Sequence, residues 1–180
     1  MTKQTKVISL VAGPGAGKST TAAGIFHHMK LDQTYKVELV TEVIKDAVYD
    51  ENKGMLQDQL LLTATQNHAL HRLIGKVDFV ISDACLLNGI VYNRFYNTPS
   101  VLDNLILQLF REYDNTVIML PRKAKYEGYG RSQTEEEAKQ LDKIFIDVLE
   151  ELGVPYHNLT HSGLSTKELP EHIINIIGGN

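Results

Sequence analysis

Ala12-Gly13-Pro14-Gly15-Ala16-Gly17-Lys18-Ser19-Thr20 follows the apolar run Val7-Ile8-Ser9-Leu10-Val11 and leads into a stretch with helical spacing: Thr21, Ala22, Ala23, Ile25, Phe26 and Met29. A strand, a glycine-rich loop and a helix opening on Gly-Lys-Ser form the phosphate-binding P-loop arrangement. The chemistry sets the residue types. Glycines let the backbone curl until several N–H groups face one phosphate. The helix that follows adds the positive end of its dipole. Lys18 supplies a point charge for the β- and γ-phosphates, and the Ser19 hydroxyl is a ligand for Mg²⁺. The predicted nucleotide-binding segment is therefore Gly13, Pro14, Gly15, Ala16, Gly17, Lys18, Ser19 and Thr20. Ala12 takes the place of the usual first glycine.

Outward from this motif, strand-like and helix-like segments alternate. Strands are predicted at Val7–Val11, Val37–Thr41, Val77–Ser82, Thr116–Leu120 and Tyr156–Leu159. Helical spacing marks Gln57–Ile74, the run Leu102, Leu105, Ile106, Leu109, Phe110 and Tyr113, and the run from Ala138 to Leu152, with a last helix over Lys167–Ile177. Thr134 with Glu137 reads as a capping box, and Gly153 with Pro155 as a stop. Alternation of this kind implies an α/β fold, a three-layer sandwich around a five-stranded parallel sheet. At 180 residues it is expected to be one domain, 1–180. A net charge of −4 argues against a broad nucleic-acid-binding surface. One cysteine, Cys85, excludes an internal disulfide and suits a reducing, cytoplasmic setting, and no apolar run approaches membrane-spanning length.

In an open parallel sheet, ligands gather at the carboxyl ends of the strands. Val77-Asp78-Phe79-Val80-Ile81-Ser82-Asp83 ends there on an acid, and Asp83 is expected to hold Mg²⁺ beside Ser19. Asp78, at the opposite end of that strand, is expected to be structural. Strand two ends at Thr41-Glu42, which puts Glu42 beside the γ-phosphate as the base for an acceptor hydroxyl, with Asp46 one helical turn on. Residues 122–133 form a locally basic, glycine-containing loop before the capped helix. It is expected to act as a short lid, with Arg131 the first choice and Arg122 the second for stabilising the transferring group. Gln66 and Arg72 on the long helix, and Tyr92, Asn93, Arg94 and Tyr96 after strand three, are candidate acceptor contacts.

Three segments together resemble a known family: AGPGAGKST, then the long helix leading into VDFVISD, then YEGYGRSQTEEEA before a helix ending ELGVPY. The chain is similar to the P-loop kinase-like family that includes the nicotinamide riboside kinase domain of NadR proteins and AAA-like phage and cellular P-loop kinases. More distantly it resembles deoxynucleoside and thymidylate kinases. The resemblance implies a nucleoside/nucleotide kinase-like P-loop fold, use of ATP with Mg²⁺, and phosphoryl transfer to a small acceptor. Nucleoside kinases typically show Asp-Arg after the third strand, whereas Asp83 here is followed by Ala84-Cys85.

The expected function is ATP-dependent transfer of the γ-phosphoryl group to a hydroxyl of a small nucleoside- or nucleotide-like molecule. Two alternatives stay open. One is a kinase acting on DNA, at a 5′-hydroxyl or a hydroxymethylated base, against which the acidic charge weighs. The other is a P-loop NTPase switch with no small acceptor, although no guanine-reading Asn-Lys-x-Asp is present. A homodimer is compatible with the sequence.

Overall fold

The structure is a computed structural model. It describes residues 4–178 apart from 53, 56, 57, 124, 125, 128–132 and 166, and of Asp46 the backbone alone. The strands are β1 (Lys6–Val11), β2 (Val37–Val40), β3 (Phe79–Ser82), β4 (Asp114–Met119) and β5 (Tyr156–Asn158). The helices, in the same order along the chain, are α1 (Lys18–Asp32), α2 (Ile44–Tyr49), α3 (Gln59–His71), α4 (Asn88–Phe95), α5 (Asp103–Arg111), α6 (Glu135–Glu151) and α7 (Leu169–Gly178).

All strand pairs are parallel, in the order β2-β3-β1-β4-β5. The expected α/β fold with a five-stranded parallel sheet is thus present. Alternation along β1 divides the core in two. Val7 and Val11 face a layer built from α3, α4, α5 and α6, among them Leu70, Val91, Ile106, Phe110, Leu141 and Phe145. Ile8 and Leu10 face α1 and α7 through Ile25, Met29, Leu169 and Ile173. Successive strand side chains point to opposite faces, so a strand buried on both sides reads as a continuous apolar run. Gly24 of α1 meets α7 closely: a Cβ there would lie 2.6 Å from Cγ of Pro170.

Local signals set the element ends. Thr134 accepts a hydrogen bond from the Glu137 N–H, and the Glu137 carboxylate accepts one from the Thr134 N–H, so the capping box opens α6. The long helix ends earlier than its periodicity suggests. The N–H groups of Leu73 and Ile74 bond only three residues back, to Leu70 and His71, before Gly75 turns at φ +76°. Asp78 accepts from the Lys36 N–H at 2.9 Å, fixing the entry to β2 at the amino edge of the sheet.

Candidate active site

The register puts the carboxyl ends of β1, β2 and β3 side by side. Val40 pairs with Ser82, and Ser9 pairs with Ser82 from the other flank. The first residues beyond these ends are the P-loop, Thr41-Glu42 and Asp83, so the loop and both acids share one edge. Within the loop, Gly15 and Gly17 have φ of +80° and +89°, conformations that L side chains rarely adopt. Gly17 precedes α1 with no side-chain cap, which leaves the amide end of the helix open to an anion.

Lys18 folds back over the loop. Its Nζ donates to the carbonyls of Ala12 at 2.7 Å and Gly13 at 3.3 Å. Burial lowers its pKa, and the negative charges of Glu42 and Asp83 work against that shift. Glu42 shows the converse: burial raises its pKa, and Lys18 is the first charge to oppose the rise. Asn88, at the start of α4, donates to Oε1 of Glu42 at 3.4 Å.

Asp83 is only 1% exposed. Its Oδ2 accepts from Nζ of Lys45 at 3.0 Å, and the same ammonium donates to Oγ of Ser19. Among the described residues, Oδ1 of Asp83 has no hydrogen-bond donor. A hydroxyl and a buried carboxylate therefore converge on one cation, with a carboxylate oxygen to spare. Such hard oxygen donors suit Mg²⁺, which takes one or two carboxylates and completes its shell with phosphate and water. Among the described residues, no group of three His, Cys, Asp or Glu gathers to hold a metal by itself.

Beside Glu42 a cavity of about 770 Å³ opens between α2, α3, α4 and the segment Thr98–Leu102. Its walls are mostly apolar, with Glu42, Gln66, Tyr92, Asn93 and Tyr96 among them. The Tyr92 and Tyr96 rings stack at 6.2 Å between centroids, 24° apart. Burial, with the Glu42 charge nearby, holds the Tyr92 phenol above its ordinary range, so it stays a donor. Gln66 accepts from the Val43 N–H at 3.2 Å and so braces the end of β2. Asn93 donates to Asp103 at 2.9 Å and accepts from the Thr98 hydroxyl at 3.1 Å, shaping the far wall. Ala84 and Cys85 follow Asp83 at the end of β3. Both line the cavity, and burial pushes the Cys85 thiol up to about 12.

The described residues flanking the segment after β4 are tied to the P-loop and to α6. Arg122 donates from Nε to Asp142 at 2.8 Å, from one terminal nitrogen to the Pro14 carbonyl at 2.7 Å, and from the other to the Ala138 carbonyl at 3.2 Å. Asp142 also accepts from the Gly13 N–H at 2.6 Å. One carboxylate on α6 thereby holds both Gly13 of the P-loop and Arg122 after β4. The Tyr126 ring lies against Gly15, where a Cβ would be 2.8 Å from Cδ2. Tyr126 donates its hydroxyl to the Gln133 carbonyl, and the Gln133 amide donates to the Tyr96 hydroxyl at 2.9 Å. Replacing Asp142 with Ala is expected to destabilise the protein by about 1.5–3 kcal/mol, the range for hydrogen bonds to a charged group. Thermal unfolding of Asp142→Ala, Arg122→Ala and the double variant checks this. The double variant should lose less than the sum of the singles, because the two share one network. Simple additivity would dissociate Asp142 from Arg122.

The structure thus gathers Lys18, Ser19, Glu42, Asp83 and Arg122 at one edge, with Gln66, Tyr92, Asn93 and Tyr96 in the adjoining cavity. Arg72 is not among them. It is exposed at the end of α3, three residues from Gly75, whose N–H donates to the Thr5 hydroxyl just before β1. That is the amino edge of the sheet, opposite the P-loop. The side chain of Asp46 and the whole of Arg131 lie outside the described residues. Lys45, Asn88, Tyr126, Gln133 and Asp142 join the site without having been singled out in the sequence. Lys45 and Asn88 each stand within a few residues of a predicted acid, and that proximity was the one available signal.

A family model described as an AAA domain matches residues 7–167. The chain belongs to that family. No curated protein matches this AAA-domain chain. Among solved structures, the NadR protein in complex with NR shares its fold with a TM-score of 0.74 and 15% identity, over 97% of this chain and 52% of that one. The AAA-domain chain therefore spans about half the length of that protein. A deoxyadenosine kinase from M. mycoides aligns at TM-score 0.64 and 19% identity over 97% of this chain and 100% of its own. A thymidylate kinase from Ehrlichia chaffeensis aligns at TM-score 0.65 and 14% identity, over 97% and 98% respectively. These likenesses are of fold, and they agree with the P-loop kinase-like architecture read from the sequence. Among the described residues of the AAA-domain chain, no helix is long and apolar enough to cross a membrane.

Proposed function

We propose that the protein is a Mg²⁺-dependent phosphotransferase that moves the γ-phosphoryl group of ATP to a hydroxyl of a small nucleoside- or nucleotide-like acceptor. The observation that supports this best is the position of Glu42. It lies within electrostatic reach of Lys18 and Asp83 and also lines the 770 Å³ cavity. A carboxylate at the junction of a phosphate site and an apolar cavity is placed to take the proton of a bound hydroxyl. In the reaction, the acceptor oxygen bonds to the γ-phosphorus, its proton passes to Glu42, and the bond to the bridging oxygen of the leaving diphosphate breaks. Lys18 and the amides at the start of α1 hold the phosphates. Ser19 and Asp83 would hold Mg²⁺, which when bound neutralises charge on the β- and γ-phosphates. The stacked Tyr92 and Tyr96, with apolar walls, favour a flat ring in the acceptor.

Nicotinamide riboside, deoxynucleosides and their monophosphates are the acceptors to test first. Incubation with ATP labelled at the γ-phosphate, each candidate, and single- and double-stranded DNA decides among them. Transfer to one of the small molecules is expected. Transfer to DNA alone would make the protein a DNA kinase. Hydrolysis with no acceptor, stimulated by a protein partner, would make it a switch.

A further inference from the structure

Lys45 was singled out by no motif, yet its ammonium occupies the point where Ser19 and Asp83 converge. The two ends of the ion pair differ in freedom. Asp83 is buried at 1% side-chain exposure, while Lys45 retains 37%. A carboxylate held in the interior needs a positive partner, and removing that partner leaves an uncompensated charge. The lysine, on a flexible four-carbon stem at the surface, can leave for water. Lys45 also sits on α2, three residues after Glu42, its N–H donating to the Glu42 carbonyl at 3.4 Å. Val43 and Ile44, immediately before it, form part of the cavity rim.

We propose that Lys45 is a built-in placeholder for the divalent cation. Its ammonium holds Ser19 and Asp83 together when no metal is bound, and Mg²⁺ must displace it to enter. Two cations held at these oxygens repel each other at close range. Metal arriving alone therefore competes with a tethered charge of its own sign, whereas metal arriving on a triphosphate brings negative charge that offsets the contest. The lysine thus selects for the metal–nucleotide complex over the free ion. Its release occurs at the rim of the cavity, so metal occupancy and the position of α2 are linked.

This inference rests on the reading of Ser19 and Asp83 as metal ligands, and the test separates the two. MgCl₂ alone is titrated into wild type, Lys45→Met, Lys45→Arg and Asp83→Asn, followed by calorimetry and by thermal unfolding. Lys45→Met should bind Mg²⁺ roughly tenfold or more tightly than wild type, and its unfolding temperature should rise with added Mg²⁺ accordingly. Lys45→Arg should resemble wild type, because it keeps the charge. Should Lys45→Met not fold without metal, its recovery in MgCl₂ supports the proposal and failure to recover overturns it. If Asp83→Asn abolishes the Mg²⁺ response while Lys45→Met matches wild type, the placeholder falls and the metal assignment stands. If Asp83→Asn binds Mg²⁺ as wild type does, the metal assignment falls and the placeholder with it.

Discussion

Lys18→Ala is expected to lower phosphoryl transfer by roughly 10³-fold or more, while the protein remains folded. Among the described residues the lysine hydrogen-bonds to carbonyls of its own loop, so its removal leaves the two core layers untouched. What disappears is a positive charge fixed where charge builds up on the transferring group. Turnover together with circular dichroism checks this. A folded variant with wild-type turnover would remove the loop from the chemistry. The substitution has a second signature. Lys18 is the first charge opposing the burial-driven rise in the Glu42 pKa, so its loss should carry the Glu42 titration still higher. The acid limb of the rate profile, measured on whatever activity remains, should move toward higher pH.

Glu42→Gln should cut transfer by roughly 10²–10⁴-fold and spare nucleotide binding, as expected for loss of a general base. The replacement keeps the shape and still offers Asn88 an oxygen to donate to. Only the ionised carboxylate accepts a proton, and burial raises the pKa. In wild type the rate should therefore climb with pH through a value above the ordinary carboxylate range, and the variant should lose that limb. Stability runs the opposite way. A carboxyl whose folded pKa is raised favours the fold when protonated, so its contribution is present at low pH and fades as pH rises through the folded value. Glu42→Gln should thus match wild type in acid and exceed it in unfolding temperature at neutral pH. A flat wild-type profile, or an unimpaired variant, would assign the base elsewhere.

The parts legible in the sequence are those written in local pattern. β1, the loop and the opening of α1 follow from adjacent residues, and the capping box at Thr134 and Glu137 spans three. Asp83 and Glu42 were found because a parallel sheet delivers the ends of its strands to one edge. Most of what completes the site is nonlocal. Lys45 reaches Asp83 across 38 positions, Asn88 reaches Glu42 across 46, and Asp142 reaches Gly13 across 129. No periodicity encodes such distances. Arg72 illustrates the opposite error. It belongs to the helix that lines the cavity, but α3 is long enough to carry its last turn to the far edge of the sheet, and a helical pattern does not say which end faces the ligand. Gln66 and Asn93 were read as hands for a ligand. Their side chains hold the Val43 N–H just beyond β2 and the Thr98 and Asp103 side chains, so they set the form of the cavity walls.

The strand order also governs how the chain is made. β1 is synthesised first and lies in the middle of the sheet, yet its neighbours begin at Phe79 and Asp114. On a ribosome the apolar run Val7–Val11 emerges with no strand to pair with until β3, ending at Ser82, has followed. Parallel pairing over such separations is slow, and unpaired edges are prone to aggregate in the meantime. The nascent segment therefore passes through a window in which its apolar side chains and unpaired edges are exposed, and the yield of folded protein is expected to fall as that window lengthens.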